Sequence, residues 1–205
     1  MKAGQGFLAI WSDVEPERET DYLHWLIREH TQERVSIPGF LGVRVFRSRN
    51  AAVRRYFILY TLTESGVMGS PAYVERLNAP TPWSQRIMPM LGNFRRGGGT
   101  VTIRHGSGFG AAVAPVLLAE DDASRALTRA AEIAAHDRLV AASLLSVDGA
   151  GTAIRTNEKS LRTGDRSFDT LLLAEAVDAA ALTTTLGDVE LFDQVFALDK
   201  AQLAS

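Results

Sequence analysis

The chain has 205 residues, 46% hydrophobic and 22% charged, enough for one large globular domain or two of about 100 residues each. Its net charge of -2 and pI near 6.1 offer no basic face for nucleic acid or an anionic membrane surface. The lack of cysteine excludes disulfides, zinc–thiolate sites and a thiol nucleophile.

Residues 7–11, Phe-Leu-Ala-Ile-Trp, form an unbroken apolar run, the pattern of a strand buried on both faces. The run is too brief for a signal sequence, and nothing nears the ~20 apolar residues of a membrane span, so a cytoplasmic protein with no membrane association is expected. Residues 13–17 then give a helix start, with Pro16 early and acidic side chains in the first turn. The helix that follows stops before Pro38-Gly39. Residues 41–49 read as a strand with Leu41, Val43 and Val45 on one face and Arg44 on the other. Asn50-Ala-Ala turns the chain into residues 56–62, apolar on both faces, which completes a hairpin. A short helix over residues 71–77 is broken by Ala79-Pro-Thr-Pro82, and residues 83–91 make a further helical turn. Residues 94–105 form a strand, with Gly97-Gly98-Gly99 marking a bulge or a flexible entry. This is the β-α-β-β-α-β order of the ferredoxin-like split unit.

From Gly106 the order repeats. Residues 109–118 are a strand of small side chains, and Pro115 within it marks an edge or a bulge. Asp121-Asp122 leads an alanine-rich helix to about residue 138. Strands over 140–147 and 168–175, a helix over 178–186 and a strand over 191–198 complete the unit. Residues 148–167, between two hairpin strands, exceed the usual 2–5-residue hairpin loop, so the loop is expected to be mobile or functional. The expected boundaries are 1–105 and 106–205. Strands apolar on both faces require cover on both sides. The fold class is therefore α+β: two fused ferredoxin-like repeats with antiparallel sheets packed face to face as an intramolecular α/β barrel.

Within residues 21–40, DYLHWLIREHTQERVSIPGF, one position stands out. At about 100° per residue, Tyr22, Leu26, Leu23 and Ile27 form an apolar arc, and His30 falls in its middle with Glu33 and Arg34 beside it. Ionisable groups on a buried face need a partner or a cavity. His30 is then either a core-edge histidine bonded to Glu33, Arg34 or a backbone carbonyl, or a neutral imidazole serving a pocket as base or hydrogen-bond anchor. Arg34 either pins a carboxylate or enolate oxygen, or bridges to Glu29 or Glu33, or reaches the surface. Tyr22 and Tyr60 offer hydroxyls to such a pocket, Glu33 a carboxylate, and Trp83 a cap at the barrel mouth; packing is the alternative for the aromatics. His24 lies on the opposite helix face, His136 on a polar face and His105 at a strand end, so no metal site is expected.

The run WLIREHTQERVSIPGF, residues 25–40, followed by a hairpin, resembles the first-helix motif of the dimeric α/β-barrel superfamily. The likeness is to its tandem form and to its EthD-like and monooxygenase-like members, in which a Glu-His pair precedes a Pro-Gly-Phe strand entry. That resemblance implies a small-molecule site served by His30 and Arg34, without a cofactor, acting on a small carbonyl or aromatic compound. Members also include haem-binding enzymes, which makes haem ligation by a helix histidine an alternative, and proteins without activity, which makes a ligand-binding or structural barrel another. Outer edges and helix faces would accommodate a homodimer. Glycine runs at 97–99 and 106–110 lack a Walker lysine or a Rossmann pattern. The strand Arg55-Tyr-Phe-Ile-Leu-Tyr60 lacks the glycines of an RNA-binding strand. The second half offers small apolar groups where the first has polar ones, so the site is expected in the N-terminal half, with the C-terminal half as its scaffold.

Overall fold

Eight antiparallel strands close into a barrel in the computed structural model, which describes residues 1–203 apart from 51, 120–121 and 150–153. The middle of the Asn50-Ala-Ala turn, the lead residue Asp121 and part of loop 148–167 lie outside the described residues. The strands are β1 (Gly6–Asp13), β2 (Phe40–Ser48), β3 (Arg55–Leu62), β4 (Gly92–Gly106), β5 (Ala112–Leu118), β6 (Leu139–Val147), β7 (Thr170–Ala176) and β8 (Phe192–Asp199). Their order around the barrel is β1-β3-β2-β8-β5-β7-β6-β4. Each half contributes four adjacent strands in the same internal sequence, second-third-first-fourth. The architecture is α+β, as expected.

The helices are α1 (Glu19–Trp25), a π-helical turn (Leu26–His30), α2 (Thr31–Ser36), α3 (Pro71–Asn78), α4 (Pro82–Ile87), α5 (Ala123–Ala134), α6 (Asn157–Ser160) and α7 (Ala179–Leu186). None is long and apolar enough to cross a membrane. Strand alternation sorts side chains between barrel and helices. On β1, Phe7, Ala9 and Trp11 enter the barrel with Phe57 and Leu59 of β3. Leu8 and Ile10 face outward with Ile58 and Tyr60, under α1 to α4. The second half repeats this with smaller groups: Ala126, Ala130 and Ile133 of α5 pack on Ala142, Leu144, Leu172 and Ala174.

Two expected irregularities prove different in kind. Gly97 to Gly99 pair in unbroken register with β1, and the bulge comes later, between Val101 and Ile103 against β6. The glycines serve close packing: a Cβ on Gly97 would come within 2.5 Å of the Phe168 ring. Pro115 sits near the barrel's seam. β8 pairs with β5 only at Ala112 and Val113, so beyond Val113 the strand keeps just β7 as a neighbour and a missing N–H costs little. One end of the interior holds an ionic triad. Glu175 accepts hydrogen bonds from Arg44 (2.7 Å), Arg104 (2.9 Å) and the Gly110 N–H (3.1 Å). Burial opposes its ionisation, but the two guanidiniums hold its carboxyl below the usual range.

Candidate functional site

The helix from Glu19 to Ser36 is not uniform. Its middle turn, Leu26–His30, is π-helical, which accommodates one residue more than an α-turn. Such an insertion turns everything after it by roughly 100° relative to an unbroken α-helix. His30 and Arg34 are thereby brought onto the face that carries Tyr22 and Trp25, and all four are buried. Leu23 and Ile27, expected within the buried arc, are only partly buried. The helix ends as the sequence demands, with Ile37 extended before Pro38 and Gly39 at φ 90°.

Between this helix face and the outer face of β1, β3 and β4 lies a cavity of about 30 Å³, with room for a water-sized group. Leu8, Ile10 and Ser12 floor it from β1, and Ile58 and Tyr60 from β3. Phe94 and Arg96 come from β4, and Tyr73 and Leu77 from α3. Trp25 stacks on the His30 imidazole, with ring centroids 4.3 Å apart and planes at 30°, and its own Nε1 donates to Ser84 Oγ at 3.1 Å. Arg96 Nη2 donates to the Tyr73 hydroxyl at 3.1 Å.

Four side-chain atoms of residues lining this cavity have no hydrogen-bond partner among the described residues: His30 Nδ1, Arg34 Nη1, Tyr60 Oη and Arg96 Nη1. Their residues are 4%, 2%, 0% and 8% exposed. A buried polar atom left unpaired costs about 1–3 kcal/mol. Four of them, from three separate elements, belong to residues that line one small space. His30 is held as neutral imidazole: burial drives its pKa well below the ordinary value, and the guanidiniums of Arg34 and Arg162 push the same way. Burial likewise raises the Tyr60 hydroxyl, keeping it a donor.

The fourth wall comes from the other half of the chain. Residues 154–167 lie on the first half and are fastened there. Asn157 donates to Asn78 O (2.8 Å), and its N–H to Asn78 Oδ1 (3.1 Å). Backbone bonds run from Arg96 N to Arg166 O (2.9 Å) and from Arg166 N to Phe94 O (3.0 Å). This seats Glu158, Lys159 and Arg162 over the cavity. Glu158 forms a buried ion pair with Arg34. Arg162 lies over the Phe94 ring, 3.8 Å from its centroid, and pairs with Asp165 at 3.1 Å. Burial first, then the Arg96 guanidinium, brings the Lys159 ammonium down to about 8. Among the described residues the cavity is walled by Arg34, Arg96, Lys159 and Arg162 against the single carboxylate of Glu158.

Of the residues singled out in the sequence, His30, Arg34, Tyr22 and Tyr60 come together at this cavity. Tyr22 shares a 3.3 Å hydrogen bond with Ser12. Glu33 and Trp83 stand apart from it. Glu33 is paired with Arg76 at 2.9 Å, and Trp83 Nε1 donates to Asp21 at 3.0 Å, on the outer side of the helices. Arg34 takes neither Glu29 nor Glu33 as partner, because the turn at Leu26–His30 points it inward to Glu158. The expectation of a site built by the N-terminal half alone is corrected in the same way, since three wall residues come from beyond residue 148. Arg96, Tyr73, Glu158, Lys159 and Arg162 were not anticipated. The excess length of loop 148–167 was the signal for the last three.

No protein-family model and no curated protein matches the chain. Solved structures do. An anthrone oxidase-like protein is similar at TM-score 0.64 and 9% identity, covering 98% of this chain and 96% of that one. The "Putative monooxygenase" of Fusobacterium nucleatum subsp. nucleatum is similar at 0.59 and 11% identity, with the same coverage of 98% and 96%. A "Putative Chlorite dismutase" is similar at 0.50 and 12% identity, covering 97% of each chain. At these identities the likeness is one of fold.

Proposed function

We propose that this chain is a small-molecule-binding barrel whose site is the His30 cavity. Its chemistry is proton abstraction by side chains from a small carbonyl or aromatic carbon acid. The observation that carries the reading is the convergence of four unpartnered buried polar atoms on one space. Such atoms are normally satisfied, so an unsatisfied cluster is a place prepared for another molecule's polar group. Neutral His30 accepts the proton, while Arg34 Nη1 and the Tyr60 hydroxyl stabilise the oxygen on which negative charge develops. The anion forming beside His30 raises its basicity at that moment, offsetting the two arginines. The fold neighbours named monooxygenase and anthrone oxidase-like, and the EthD-like resemblance of residues 25–40, support a carbon acid as the substrate.

The depressed pKa of His30 favours one second reading, a binding protein in which the imidazole only accepts a hydrogen bond.

Deuterium exchange separates the two readings. Anthrone and 2-tetralone are incubated with protein in D₂O and followed by NMR. Catalysis predicts accelerated exchange that His30→Gln lowers by about 100-fold, the lower end for general-base catalysis. Binding of either ketone without acceleration would leave only the second reading.

A further inference from the structure

Outside the cavity lies a larger cleft of about 520 Å³, bounded by loop 154–169 and the rim of the barrel. Arg96 and Lys159 belong to the walls of both spaces. The cleft's apolar surface comes from Val147, Ile154 and Phe168, and it carries Arg155 and Arg166 besides the shared pair. Its acids are Asp165, already engaged by Arg162, and Asp169. Arg96 and Lys159, shared by the two spaces, mark where the cleft meets the cavity.

We propose that the cleft is the binding subsite for the body and the acid group of the substrate, an aromatic carboxylate whose carboxylate is received by Arg96 and Lys159. The inference rests on reading the His30 cavity as a small-molecule site. Arg96 is the anchor: it is 8% exposed, its Nη2 is committed to Tyr73, and its Nη1 has no partner among the described residues. A cation that deep wants an anion rather than a neutral acceptor, since hydrogen bonds between charged groups are the stronger kind. Lys159 adds a second cation, an ammonium whose charge is lost as pH rises through about 8. With the carboxylate held there, the body of the molecule lies along the cleft and the groups next to the acid face the His30 cavity. Glu158, paired with Arg34, keeps a carboxylate from going deeper by occupying the place it would take.

The probes are 2-naphthoate and its neutral isostere 2-naphthamide, titrated calorimetrically into the full chain. The acid is expected to bind at least tenfold more tightly at pH 7, and the preference to shrink as pH rises from 7 to 9. Arg96→Met is expected to cut the preference at pH 7 to the smaller part that Lys159 supplies, with the amide losing less affinity than the acid, and Arg96→Lys to restore part of it. Circular dichroism at 25 °C confirms that each variant is folded. Equal affinity for the two probes would overturn the carboxylate subsite and leave the His30 reading standing. Acid preference unchanged in both Arg96 variants would place the anion elsewhere and overturn it too. Binding of neither probe, together with no ketone exchange above background, would sink both.

Discussion

The two helix layers of this barrel cover equivalent sheets with opposite materials. Over β5 to β7 the contact is alanine against alanine and leucine: Ala126, Ala130, Ala142 and Ala174 let α5 lie close, and among the described residues no buried ionisable side chain belongs to α5 or α7. Over β1, β3 and β4 the contact is Tyr22, Trp25, Tyr60 and Tyr73, with His30, Arg34 and Arg96 among them. Small residues allow two surfaces to close; large aromatics and branched cations hold them apart and leave corners. One layer is a stabilised scaffold, while the other keeps a polar hollow at a cost in stability. A common strand order therefore does not give common use.

Breaking the ion pair of the polar layer should have the largest effect. Arg34→Met leaves Glu158 buried without a partner and is expected to cost about 3–5 kcal/mol in urea unfolding. The double replacement Arg34→Met with Glu158→Leu should recover most of that loss, since two apolar groups need no partner. If the single variant costs no more than the double, the pair is not buried as described. Overfilling the apolar layer should come next. Ala130, fully buried against the sheet, has no space for a larger side chain, and Ala130→Leu is expected to cost about 1–3 kcal/mol.

The third effect is one of pH. The folded-state pKa of His30 lies well below the ordinary histidine value, so below about pH 6.5 the unfolded chain binds a proton that the folded chain refuses. Unfolding free energy from His30 is therefore constant above that pH. It falls as the solution is acidified below it, by at most about 1.4 kcal/mol per pH unit. His30→Leu should remove this part of the slope. At pH 7.5 the same substitution gives the smallest effect: a gain of about 1 kcal/mol from eliminating an unpaired buried nitrogen, against loss of any function. A substantial loss of stability instead would make His30 a packing residue.

Most of the fold was legible because it rests on local signals. The apolar run at 7–11, the Pro38-Gly39 stop and the prolines at 71 and 82 each fix a boundary without reference to distant residues. The site was legible in part. A histidine on an apolar arc pointed to His30, although the wheel that located it assumed an unbroken α-helix. The π-turn, which no pattern in residues 26–30 announces, is what brings His30 and Arg34 to the same place as Tyr22. Glu158 could not be found this way, since the pairing spans 124 positions and depends on how a loop crosses the barrel. Arg96 stands beside the glycine run at 97–99, which carries no phosphate-binding pattern. Its importance follows from register, opposite Ile10 on the face that turns toward the helices.

The central claim is that His30 is a neutral imidazole at a space made for another molecule. The most direct measurement is nitrogen-15 NMR of the histidine side chains at pH 6.5 while 2-tetralone is added. The expected result is a His30 signal in neutral form throughout, shifting with saturation as His24, His105 and His136 stay in place. A His30 half protonated at that pH, or one that does not move while the ligand binds, would contradict it.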